Sequence, residues 1–127
     1  MARILIVEDD EMDRVLLSHV LAQAGHEPVF AANGKAALRI WVRDPAEIVV
    51  TDLAMPELGG LDLIRVLKKG DPWVRIIAIS GAKPQQLEQA REFGALATLS
   101  KPIDAGELVE LIDKILDGHG HWSSVES

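Results

Sequence analysis

The residues able to do chemistry in this sequence fall in four places: Glu8-Asp9-Asp10, Asp52, Ser80 and Lys101-Pro102. Grouped carboxylates repel an approaching phosphate unless a cation lies between them, and hard oxygen ligands with room for water suit Mg²⁺ or Mn²⁺. A lysine beside three carboxylates is drawn inward as their counter-ion, and a serine next to Gly81 leaves a low surface for a ligand oxygen to approach. Taken singly, each has a bland role. Asp10 or Asp9 can cap a helix, Asp52 can form a turn with Pro56 and Gly59-Gly60, Ser80 can cap or turn the chain, and a lone lysine is usually a solvated charge. Only their joint placement argues for a site.

That placement follows from the hydrophobic pattern. Short apolar runs, rich in β-branched residues, recur at 4–7, 29–31, 48–50, 76–79 and 96–99, as expected of strands covered on both faces in a parallel sheet. Between them the period changes to 3.6. Met12, Val15, Leu16, Val20 and Leu21 make one stripe; Ala36, Ala37, Ile40 and Trp41 a second; Leu61, Ile64 and Leu67 a third. Leu87, Ala90 and Phe93 give a fourth, and Leu108, Leu111, Ile112 and Ile115 a fifth, opened by Asp104 and Glu107 at capping-box spacing. Gly25, Gly70, Gly94 and Gly118 fall where helices should stop. The pattern predicts (βα)5, a doubly wound α/β sandwich with a parallel sheet. Ligands of such sheets bind beyond the carboxyl ends of the strands. Four of the five runs deliver a polar side chain to that edge: Glu8-Asp9-Asp10, Asp52, Ser80 and Ser100-Lys101.

The bulk properties narrow the function further. The chain has 127 residues, enough for one domain with its own core, and no low-complexity linker divides it. Thirteen basic residues stand against 20 acidic ones, a net charge of −7 and the wrong sign for binding nucleic acid. With no cysteine, thiolate metal sites and disulfides are excluded. No run approaches the roughly 18 apolar residues of a membrane span. The expectation is a cytoplasmic protein with one domain over residues 1–118 and a polar tail over 119–127, in which His119 and His121 read as inert.

These motifs, in this order, resemble the receiver domain of two-component response regulators, and in length the stand-alone chemotaxis-type regulators. The resemblance spans about residues 3 to 117 and rests on Val7-Glu8-Asp9-Asp10, Asp52-Leu53-Ala54-Met55-Pro56 with Gly60, Ala78-Ile79-Ser80-Gly81-Ala82, and Lys101-Pro102. It implies a flavodoxin-like fold with strand order 2-1-3-4-5. It also implies that Asp52 accepts a phosphoryl group from a histidine kinase or histidine phosphotransfer protein. Asp9, Asp52 and the backbone carbonyl of Ala54 would hold Mg²⁺, with Glu8 acting through water, while Ser80 and Lys101 would bind phosphoryl oxygens. Such a protein is a signalling switch, not an enzyme acting on other substrates, though it catalyses its own phosphoryl transfer and autodephosphorylation.

Two departures from that pattern stand out. The position three residues before the lysine, usually aromatic in the family, is Thr98. No output domain follows the fifth helical stretch, so a protein contact is the expected output. The alternatives are a flavodoxin-like ligand-binding module, against which the acidic loop after the first strand argues, and a phosphorylation-independent binding module. An aspartyl-phosphate phosphatase normally carries a second acid two residues after its nucleophile, where this chain has Ala54.

Overall fold

The structure is a computed structural model and describes residues 2–55, 57–81 and 84–118. Strands β1 (Arg3–Val7), β2 (Glu27–Ala31), β3 (Ile48–Asp52), β4 (Arg75–Ser80) and β5 (Ala97–Ser100) alternate with helices α1 (Glu11–Gln23), α2 (Gly34–Arg43), α3 (Gly60–Gly70), α4 (Pro84–Glu92) and α5 (Ala105–Leu116). The sheet is wholly parallel in the order β2-β1-β3-β4-β5. The (βα)5 architecture and the strand order both match the sequence expectation.

Alternation along each strand explains why the central strands read as unbroken apolar runs. Ile4, Ile6, Val50, Ile77 and Ile79 face one side, against Leu17 and Leu21 of α1 and Leu108, Leu111, Ile112 and Ile115 of α5. Leu5, Val7, Val49, Ile76 and Ala78 face the other, against Ala37 of α2, Leu63, Ile64 and Leu67 of α3, and Ala90 of α4. Both faces are covered, so no position in β1 or β3 needed a polar side chain until the strand ended.

Helix α1 corrects the sequence reading. Met12, Val15 and Leu16 are exposed, and its buried residues are Leu17 and Leu21. One residue along a helix turns the side chain about 100° around the axis, so a stripe phased on Leu16 misses the face that Leu17 and Leu21 present to α5. Gly70 is the last residue of α3, so that helix stops where expected, with Asp71 as its C-cap. Gly25, Gly94 and Gly118 do take positive φ just beyond their helices. The residues 119–127, His119 and His121 among them, lie outside the described residues.

One buried polar link joins the two ends of the fold. The backbone N–H of Ala2 donates to His26 Nδ1 at 3.2 Å, which leaves Nε2 as the donor toward Asp113 Oδ1 of α5, also at 3.2 Å.

Candidate functional site

Because all strands are parallel, their carboxyl ends share one edge, and the topology reverses between β1 and β3, where a crevice must open. Val7 pairs with Thr51, so Glu8 and Asp9, which follow β1, stand beside Asp52, the last residue of β3. Asp52 in turn pairs with Ile79, and Ser80 with Ser100, which brings the ends of β4 and β5 into line.

Glu8, Asp9 and Asp52 each offer a carboxylate oxygen, and the three oxygens lie within 4.8 Å of one another. Glu8 and Asp52 are buried; Asp9 is exposed. The ammonium of Lys101 enters from the far side, 3.0 Å from Glu8 Oε1 and 3.6 Å from Asp52 Oδ2. Lys101 follows β5 directly and precedes a cis peptide to Pro102. A β-carbon at Gly81 would sit 3.3 Å from Lys101 Cβ, so the glycine leaves the lysine stem its path along the pocket wall.

Local structure fixes each of these groups. Asp10 is the N-cap of α1: its side chain accepts from the N–H groups of Met12 and Asp13, while its own N–H donates to Glu8 Oε2 at 3.1 Å. The capping role weighed for Asp10 is therefore the one it fills. Arg14 Nη1 donates to the carbonyl of Glu8 at 3.0 Å and pins the loop from the helix side, a contact no sequence spacing announced. Asp52 Oδ1 accepts from the N–H of Leu53 at 2.9 Å, and Ala54, whose backbone carbonyl was the expected third ligand, follows in an exposed bend.

In the loop after Asp52, the left-handed backbone falls at Glu57 and Leu58, at φ 48° and 78°. Gly60 is needed for space, since a β-carbon there would lie 2.2 Å from the carbonyl oxygen of Asp52 and 2.6 Å from Leu53 Cα. The N–H of Gly60 donates to the Leu53 carbonyl at 3.0 Å, which closes the loop under the carboxylate.

Ser80 is buried at the end of β4, and its hydroxyl lies 3.4 Å from Gln86 Oε1 of α4. Sequence reasoning had no signal for Gln86.

Electrostatics separates this cluster from a solvated acidic surface. Burial raises the carboxyl of Asp52 above the ordinary carboxylate range, and the opposing pull of Lys101 does not cancel it. Glu8 is raised too, chiefly by burial, against the N–H of Asp10 and the Lys101 ammonium. For Lys101, burial acts downward, but the hydrogen bond to Glu8 and the charges of Asp52, Glu8 and Asp13 outweigh it and push the ammonium up to about 12. Three carboxylates facing one ammonium leave negative charge uncompensated. Oxygen donors of that number, spacing and charge fit a small divalent cation. They do not fit a flavin phosphate held directly at a helix N-terminus.

The family model described as the response regulator receiver domain matches residues 4–113. The chain belongs to the response regulator receiver domain family. It is 33% identical over 115 residues to the chemotaxis protein CheY of Thermotoga maritima, covering 89% of this chain and 96% of that one. It is 30% identical to sporulation initiation phosphotransferase F of Bacillus subtilis, covering 90% and 93%. A further relative, the DNA-binding transcriptional regulator NtrC of Azospirillum brasilense, is 38% identical over 120 residues, but this chain spans only 25% of its length. Among solved structures, a response regulator receiver domain protein from Clostridium thermocellum superimposes with a TM-score of 0.87 at 28% identity, over 92% of this chain and 95% of that one. This receiver domain is thus a phosphorylatable switch of two-component signalling, with an acidic cluster suited to Mg²⁺.

The departure at Thr98 also has a structural counterpart. Thr98 is buried in β5 and its hydroxyl accepts from Arg91 Nη2 of α4 at 3.0 Å. Around it, between α4, β5 and α5, opens a cleft of about 620 Å³ lined by Leu87, Ala97, Leu99, Pro102 and Leu111 with charged residues at its rim. The hollow adjoining the acidic cluster, between Glu8, Leu17 and Lys101, is smaller, about 140 Å³.

Proposed function

We propose that Asp52 is the phosphoacceptor of this receiver domain, and that Glu8, Asp9, Asp52 and the backbone carbonyl of Ala54 hold Mg²⁺. The observation that carries the reading is the convergence of two other carboxylates and one ammonium on the Asp52 carboxylate, at the buried end of β3 beside β1.

A carboxylate is a weak nucleophile, and its approach to a polyanionic donor is opposed by charge. The bound cation supplies charge neutralisation at the phosphoryl oxygens and at the attacking carboxylate. The chain's own residues do the rest. The N–H of Leu53 holds one Asp52 oxygen and leaves the other, Oδ2, directed toward Lys101. Oδ2 attacks phosphorus, the bond from phosphorus to the donor's leaving atom breaks, and its electron pair departs with the donor. Lys101 pairs with one oxygen of the transferred group and the Ser80 hydroxyl donates to another, both already placed at the same edge. Hydrolysis of the acyl phosphate by water returns the switch to rest.

The donor in this reading is a histidine kinase or a histidine phosphotransfer protein, the location is the cytoplasm, and the output is a contact with a downstream protein. The functional unit is residues 1–118. Among the described residues no helix is long and apolar enough to cross a membrane.

The test is incubation with phosphoramidate, with and without Mg²⁺, followed by intact-mass measurement. Wild type should gain one phosphoryl group only with Mg²⁺, and Asp52→Asn should gain none. Equal labelling of Asp52→Asn would remove Asp52 from the role.

A further inference from the structure

Lys101 has a third acidic neighbour that lies outside the acidic cluster. Asp13 Oδ2, in the first turn of α1, stands 3.4 Å from the Lys101 ammonium, closer than Asp52 Oδ2 at 3.6 Å. Its backbone is held in the first turn, because its own N–H donates to the Asp10 cap at 3.2 Å. Asp13 and Lys101 share the wall of the hollow between α1 and the loop after β5. Three acceptors therefore divide one ammonium: Glu8 and Asp52 from within the pocket and Asp13 from its rim.

The three differ in what phosphorylation does to them. In the reading above, Glu8 turns to the cation and Asp52 becomes the acyl phosphate, so both change partner when the phosphoryl group arrives. Asp13 does neither. It goes on competing for the ammonium that must swing to a phosphoryl oxygen, and it adds one more negative charge beside an incoming anion. We infer that Asp13 is a positioning residue that tethers Lys101 toward α1 and so slows phosphorylation of Asp52. This rests on the assignment of Asp52 and Lys101 given above. Asp13 touches no reacting atom and acts through Lys101.

The measurement is the initial rate of phosphorylation by phosphoramidate at saturating Mg²⁺, read by intact mass. This donor is too small to dock on α1, so partner recognition does not enter. Asp13→Asn should react about two- to fivefold faster, the size of a partly exposed ion pair. Asp10→Asn is the control for charge alone: asparagine caps a helix as well as aspartate, and its rate should stay near wild type. In a Lys101→Met background, itself slow, adding Asp13→Asn should give no acceleration. The ¹⁵Nζ resonance of Lys101 should also move in unphosphorylated Asp13→Asn, a change that mere loss of surface charge would not produce. Asp13→Ser, which keeps a small polar side chain, should repeat the result and guards against a fold defect in one variant.

A rate for Asp13→Asn at or below wild type would overturn the inference. So would an equal acceleration by Asp10→Asn, or one that survives in Lys101→Met. In each of those cases Asp52 remains the acceptor. If wild type takes no label at all, the phosphoacceptor reading falls and the inference with it.

Discussion

The edge of the sheet around Asp52 and the face around Thr98 are built on different terms. The first is crowded: three carboxylates, a lysine and a serine converge, and nearly every group has a hydrogen-bonding or ionic partner. The second is open, with a threonine tied to Arg91 beneath a cleft of about 620 Å³. Receiving a phosphoryl group demands fixed charges at fixed distances. Transmitting it demands only that some surface have two states of similar energy. At Thr98, where the family usually has an aromatic side chain, this chain has a small one whose hydroxyl is already tied to Arg91. We therefore expect chemistry close to that of other receivers but a weaker mechanical response at the α4–β5–α5 face, with the phosphoryl charge and the loops after β3 and β4 carrying more of the output.

The difference can be attacked from its strong side first. Asp9→Ala should weaken Mg²⁺ binding by at least about tenfold, the loss that even an outer-shell partner produces, whereas Asp10→Ala should cost only its cap, of order 1 kcal/mol. Titration followed by Trp fluorescence or calorimetry separates them, and identical affinities would show that Asp9 is not a ligand. Gly60→Ala comes next. Its β-carbon would strike the backbone of Asp52 and Leu53, so a loss of about 1–3 kcal/mol and slower labelling should appear together in chemical denaturation and mass measurements. A stable, fully active Gly60→Ala would mean the loop yields easily.

Asp52→Asn should act in the opposite direction on stability. A carboxyl whose folded pKa is raised contributes stability that is present below its unfolded pKa and lost as pH rises through the folded one. Without metal, at neutral pH, removing that charge should therefore stabilise the fold by on the order of 1 kcal/mol, or a few degrees in Tm. The gain should vanish on acidification below the ordinary aspartate range. The reverse sign at pH 7 would mean that Lys101 outweighs burial at this site.

The smallest effect belongs to the open face. Thr98→Val removes the hydrogen bond from Arg91 and should cost about 0.5–1.5 kcal/mol while leaving the phosphorylation rate unchanged. Amide shifts on adding Mg²⁺ with beryllofluoride should be large around Asp52 and Ser80 and modest at 97–99 and along 87–93. Shifts of equal size at both would erase the distinction between the two regions.

Much of this was legible in the sequence, for reasons that also explain what was not. The central strands announced themselves because both of their faces are buried, and the site residues because they interrupt apolar runs at strand ends. Strand β2 was read short: it lies at the sheet edge, where Glu27 and Pro28 are tolerated. Helix α1 misled because Met12, Val15 and Leu16 form an apolar face that the described fold leaves largely exposed. The contacts between Lys101 and Asp13, and between Ser80 and Gln86, join different elements or side-chain rotamers and leave no periodic trace. The left-handed backbone at Glu57 and Leu58 falls on residue types that give no sign of it in the sequence.

The central claim is that one particular carboxylate carries the phosphoryl group. Phosphorylated protein should be treated with borohydride, which reduces an aspartyl phosphate to homoserine, and then digested and sequenced by mass spectrometry. The account predicts homoserine at position 52 and nowhere else. Homoserine at position 9, or a product of reduction at Glu8 with Asp52 intact, would contradict it.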